Sequence, residues 1–167
     1  MQLLKKIDSG LYALFNVLIV VTSLLMTGLV FFLVLARYLF GSAMIGTLEM
    51  ATISALWLYM LGAIVASRNS EHLTVDFLEQ TISSATLRAS YEVIRSLIVF
   101  GLSIFVLWLA KDMLDWALKR PQTTPALEWP LLWQQASMLV ATVFFVIYGL
   151  RDLLHAFALF KSAKGDA

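Results

Sequence analysis

Cysteine is absent from this 167-residue chain, which rules out disulfides, thiolate-bound metals, iron–sulfur clusters and cysteine nucleophiles. Histidine is nearly absent. His72 and His155 both sit in polar flanks of apolar runs, so no histidine pair lies mid-span to ligate a haem between helices. Charge is sparse as well: Asp, Glu, Lys and Arg make up 14% of the residues, where a soluble domain carries about 25%. The net charge is +1 and the basic residues stand at the ends of apolar segments, so no nucleic acid is expected as a partner. No glycine-rich phosphate loop, serine nucleophile elbow or metalloprotease helix motif occurs. Nothing points to an enzyme or to a bound cofactor. Proline appears only at positions 121, 125 and 130.

What the chain has in quantity is apolar side chains, 60% of all residues, gathered into long runs. Residues 11–36 and 50–67 carry no charge. At 1.5 Å per residue, each is long enough to cross or nearly cross the ~30 Å hydrocarbon core of a bilayer. A cleaved signal peptide has an apolar core of only ~7–15 residues, so the first run is expected to remain as a span. Residues 96–110 form a shorter run, which spans if Arg95 and Lys111 extend their charged heads to the interface. The four-residue spacing of Lys111, Asp115 and Lys119 continues that helix. A fourth run, 131–150, ends at Arg151-Asp152. Between the second and third runs, Val75, Leu78 and Ile82 share one helical face and Asp76, Gln80 and Ser83 another, which predicts a short interfacial helix. The prolines break any helix around them, because each lacks a backbone donor and disfavours helical geometry in the preceding residue. The predicted fold is an all-α membrane protein, a single integral domain. Its four transmembrane helices fall at about residues 11–36, 49–67, 92–118 and 131–151, with the interfacial amphipathic helix at about 74–86.

An even number of spans puts both termini on one side. That side carries Lys5, Lys6, Arg68, Arg88, Arg95, Arg151, Lys161 and Lys164, against Arg37, Lys111, Lys119 and Arg120 on the other, so the positive-inside rule places the termini in the cytoplasm. Trp116, Trp129 and Trp133 then belong to one headgroup belt and Tyr12, Tyr91 and Tyr148 to the other. Ala51, Ala55, Gly62 and Ala66 form a strip of small residues on the second span, where another helix can approach closely. Asn16, Thr22, Ser23 and Thr27 can bond a neighbouring helix or their own backbone. Glu71, His72 and Asp76 can hold a metal or relay protons, or simply cap and anchor a helix end among headgroups. No charged residue lies in the middle of a span, and carriers of charged solutes usually need such residues or broken helices. A self-sufficient homo-oligomeric transporter or channel would require polar faces along its spans. A membrane enzyme subunit would require a catalytic constellation. The chain alone reads as a scaffold.

Arg37-Tyr38-Leu39-Phe40, Glu49, Trp57, Gly62-Ala63, Arg68, Glu71-His72-Leu73, Val75-Asp76 and Thr124-Pro125-Ala126-Leu127 with Pro130 follow one another in this order. The ordered set resembles the small membrane subunit of tripartite ATP-independent periplasmic (TRAP) transporters, most closely the sialic acid type. One departure is Met50, where that family often has a second acidic residue beside Glu49. The resemblance implies a heterodimer with a large membrane subunit that carries solute and sodium ions, and a periplasmic substrate-binding protein that captures an organic acid anion. It implies a stator role in a bacterial inner membrane. Arg37, Glu49, Trp57, Gly62, Arg68, Glu71, His72, Asp76 and Pro125 are the resulting candidates for structural or partner-contact roles. Lys119 and Arg120 join them as charged residues beside the proline loop, a rigid mixed surface suited to docking.

Overall fold

The computed structural model describes residues 2–41, 44–69 and 85–165. They form four helices: α1 (Gln2–Phe40), α2 (Ile45–Arg68), α3 (Ala85–Lys119) and α4 (Leu132–Gly165). All four are long and apolar enough to cross a membrane. The predicted interfacial helix, with Glu71, His72 and Asp76, falls on residues outside those described, except that its last two positions begin α3.

The helices outrun the uncharged segments that announce them. Nothing breaks α4 at Arg151-Asp152, since Leu, Ala and Phe follow and carry the helix on to Gly165. Likewise α3 continues through Lys111, Asp112 and Asp115 to Lys119. Chain breakers set the other ends. Gly41, at φ +64, follows the last residue of α1 and takes up the left-handed turn that closes helices at little steric cost. Pro121 stops α3. Several polar side chains within the helices are satisfied by their own backbone, which suits a lipid setting. Asn16 donates to the Tyr12 carbonyl at 2.9 Å and Thr22 to that of Leu18 at 2.7 Å, so both bond back to their own helix.

Extended helix contacts join α1 to α2, α2 to α4 and α4 to α3. The core sits where α1, α2 and α4 meet: Phe15, Leu61, Ile64, Ala141 and Tyr148 are buried there. Phe15 meets Phe144 edge to face at 5.0 Å between ring centres. Lipid is as apolar as these side chains, so close packing holds the helices together and burial from water contributes little.

Small residues make the α3–α4 contact close. Ala89, Ser96, Ser103, Ala110 and Ala117 recur every seven residues along α3, and Ala110 is fully buried. On α4, Thr142, Gly149 and Ala156 repeat at the same interval and are buried. A seven-residue period keeps such a seam facing its partner over many turns. A Cβ on Gly149 would lie 3.5 Å from the Phe100 ring and from the Ser103 hydroxyl. By contrast, a Cβ on Gly62 of α2 would meet nothing within 4 Å. Of the small-residue strip on α2, Ala51 is buried within the chain and Gly62 faces open space.

Candidate functional site at the two ends of the second helix

Helix α2 carries one ionised group near each end, Glu49 and Arg68, and each engages a distant part of the chain. At the loop end, Pro125 opens a single helical turn whose next amides, those of Ala126 and Leu127, have no helical acceptor ahead of them. The Glu49 carboxylate receives both, Ala126 N–H at 2.8 Å on one oxygen and Leu127 N–H at 2.9 Å on the other. Thr124 Oγ1 accepts from the Trp129 amide at 3.2 Å, and the Thr124 side chain also hydrogen-bonds Glu49. The turn closes with Glu128 N–H on the Thr124 carbonyl at 3.1 Å, and Glu128 itself is left-handed at φ 55. Thr124 N–H to Trp129 O and Leu131 N–H to Gln122 O then zip the base of the loop at 2.8 and 2.9 Å. Two consecutive amides on one carboxylate make an anion-binding nest.

Leu127 continues the clamp by lying over Gly46, one turn from Glu49. A Cβ at Gly46 would stand 2.9 Å from its side chain, so glycine makes the room. Deeper along α2, the Trp57 indole N–H donates to the Trp133 carbonyl at 3.1 Å, a third tie to the α4 side. Lys119 and Arg120 are exposed where α3 ends. Arg120, Pro121, Gln122 and Gln135 line a cleft of about 180 Å³ under the loop, where the Gln135 Oε1 atom is buried without a hydrogen-bond partner. Pro125 is exposed at the loop's tip, and Arg37 is exposed at the end of α1.

At the termini end, Arg68 faces Asp8. Its Nε lies 3.1 Å from both carboxylate oxygens and its Nη2 lies 2.6 Å from Oδ2. The guanidinium also sits over the Tyr12 ring, 4.2 Å from its centre. The Tyr148 hydroxyl donates to Asp8 at 3.4 Å, and Arg151 donates to the Arg68 carbonyl at 2.8 Å while pairing with Asp152. Tyr148 therefore departs from the headgroup belt expected of it. Only 5% of it is exposed, and its ring is packed in the core with the hydroxyl aimed at this cluster. Among the described residues the carboxylate that Arg68 pairs with is Asp8, on the first helix; Asp76 lies outside them.

Asp8, Tyr12, Tyr148 and Arg151 thus join Arg68 at one end, and Thr124, Ala126, Leu127 and Gly46 join Glu49 at the other. Arg37, Lys119 and Arg120 belong to neither cluster. No metal-binding group of His, Asp and Glu side chains occurs among the described residues.

No curated protein matches the chain. A family model does: "Tripartite ATP-independent periplasmic transporters, DctQ component" matches residues 26–159, which takes in the C-terminal part of α1, all of α2 and α3, the proline loop and most of α4. The chain belongs to the DctQ family, the small component of TRAP transporters.

Proposed function

We propose that this chain is the fixed half of a TRAP membrane pair, standing beside the large membrane subunit while that subunit carries the solute, and helping to receive the periplasmic binding protein. TRAP systems combine a DctQ component with a large membrane subunit and such a binding protein. The observation that carries the reading is the pinning of α2 at both ends, by Glu49 to the loop before α4 and by Arg68 to α1 and α4. A helix tied to three other segments suits a wall, against which a partner moves. The uncharged runs 11–36, 50–67, 96–110 and 131–150 hold no ionised side chain in mid-span, which supports a solute path elsewhere. Gly62 and the lipid-facing side of α2 offer a surface for the large subunit. The clamped loop with Lys119 and Arg120 offers one for the binding protein.

The solute is an organic acid anion of the sialic acid kind, moved with sodium ions into the cytoplasm. The chain sits in a bacterial inner membrane with both termini cytoplasmic, as the eight-to-four division of basic residues favours. Uptake into liposomes tests the proposal. Solute should enter only when this chain, the large subunit and the binding protein are all present. Full-rate uptake without this chain, or uptake by this chain alone, would overturn it.

A further inference from the structure

The face of α3 turned away from α4 carries charge at a depth that belongs to lipid tails. From Glu49 to Arg68 α2 rises ~29 Å, and from Leu132 to Arg151 α4 does the same, each close to the ~30 Å hydrocarbon core. The two helices are tied at both levels, by the loop clamped on Glu49 and by the Arg151 bond to the Arg68 carbonyl. They set the boundaries. Helix α3 is in register with α4 through Gly149, where an added Cβ would lie 3.5 Å from the Ser103 hydroxyl. From that contact toward the loop end, Asp112 stands ~14 Å up α3 and Leu132 ~26 Å up α4, at 1.5 Å per residue. Asp112 is thus on the order of 10 Å inside the boundary, with Lys111 just beneath it and Asp115 ~5 Å nearer the surface. The uncharged run 96–110 is short because α3 turns polar before its neighbours do.

Lys111, Asp112 and Asp115 are all exposed, and among the described residues none of their side chains forms a hydrogen bond or ion pair. A lysine can stretch its ammonium toward the headgroups, but an aspartate has no such reach. Charged groups at membrane depth face protein or water and pair there; they do not face tails. At ~100° per residue, Trp108 and Gly101 share their face, opposite the seam at Ala110. Trp108 is 56% exposed and a Cβ on Gly101 would meet nothing within 4 Å, so the described chain leaves this strip uncovered. Tryptophan is enriched among the residues that anchor interfaces. The patch sets two acids against one base, so a second copy of the chain would bring like charge to like. A partner with a basic side chain at this depth complements it.

We propose that this outer face of α3 is a contact with the large membrane subunit, which sets a basic side chain against Asp112 and Asp115 and packs on Trp108. The inference rests on the pairing proposed above and adds a contact on a different helix from Gly62. The test uses the tagged chain co-expressed with the large subunit. Trp108→benzoylphenylalanine, irradiated in membranes, should cross-link to the large subunit. Asp112→Lys with Asp115→Lys should lower recovery of the large subunit on the tag by roughly tenfold or more, at an unchanged amount of this chain in the membrane. Because the chain has no cysteine of its own, depth can be read separately: in the complex, Asp112→Cys should react with a membrane-impermeant maleimide roughly tenfold more slowly than Lys119→Cys, since a thiol away from water does not ionise. If the large subunit is recovered but Trp108→benzoylphenylalanine cross-links to nothing or to a second copy of this chain, or if the two cysteines label alike, the inference is overturned and the pairing stands. If the wild-type chain recovers no large subunit, both are overturned. Should the double Lys variant be lost from the membrane, cross-linking and labelling decide.

Discussion

Breaking the Asp8–Arg68 pair is expected to loosen the termini end of the molecule by a measurable and coupled amount. The contact is good, with Nη2 at 2.6 Å from Oδ2, but the side chains remain 21% and 38% exposed. Fully exposed ion pairs contribute about 0.2–1 kcal/mol, and removing one partner of a fully buried pair costs about 3–5 kcal/mol. Water and headgroups reach Asp8, so screening keeps the pair near the lower range, at about 1 kcal/mol. Arg68 has an added contact with the Tyr12 ring, typically about 0.5–1 kcal/mol, which Asp8→Asn keeps and Arg68→Gln loses. The expected costs are thus about 1 kcal/mol for Asp8→Asn and about 2 kcal/mol for Arg68→Gln. A chain of this size shifts its melting temperature by about 2–4 °C per kcal/mol, giving drops of about 2–4 and 4–8 °C. The double variant should melt no lower than Arg68→Gln, because both singles remove the same ~1 kcal/mol. Scanning fluorimetry of the purified protein measures all four states through its five tryptophans. Additive drops in the double variant, or no drop in either single, would refute the pairing as a stabilising contact.

At the loop end, Glu49→Ala should raise hydrogen exchange at the Ala126 and Leu127 amides by roughly tenfold or more while mid-helix amides stay protected, read by mass spectrometry. Trp57→Phe keeps the ring and removes the bond to the Trp133 carbonyl; it should cost about 0.5–1.5 kcal/mol and lower the melting temperature by a few degrees. Ala110→Leu forces side-chain carbons into the α3–α4 seam and should cost about 1–3 kcal/mol by melting. Leu109→Ala beside it, facing lipid, should cost less. Lys119→Glu with Arg120→Glu should slow uptake at limiting binding protein and recover at saturation, since rim charges act on association rate. Unchanged uptake across a binding-protein titration would count against docking at that surface.

The helices were legible in the sequence because a bilayer enforces length and excludes charge, and runs such as 11–36 and 50–67 have no other reading. Their pairing was less so. Asp8 is the only carboxylate before Glu49, and an even-odd count of spans puts it on the same side as Arg68, yet nothing local says that the start of α1 and the end of α2 are neighbours. Glu49 was singled out, but its partners are backbone amides, which have no side-chain signature; Pro125 is their one visible trace. The small residues on α2 suggested close packing, whereas the seam inside the chain is the seven-residue repeat from Ala89 to Ala117. That repeat is written plainly in the sequence, hidden by the larger apolar residues between its members. Tyr148 shows the limit of belt reasoning, because a ring near a span's end can equally turn inward when an acid there awaits its hydroxyl.

The ties at the two ends of α2 also differ in when they can form. Asp8 and Arg68 are separated by 60 residues and belong to the first two helices, so their pair can close as soon as that hairpin has left the ribosome. Glu49 must wait for amides 77 and 78 residues later, and Trp57 for a carbonyl 76 residues later. At about 5–20 residues per second, that leaves a carboxylate and an indole without their partners for about 4–15 s during synthesis. The first hairpin therefore meets the membrane as a half-finished surface whose polar groups mark where α4 must arrive. The second hairpin is docked against a template already held in register at its cytoplasm-proposed end.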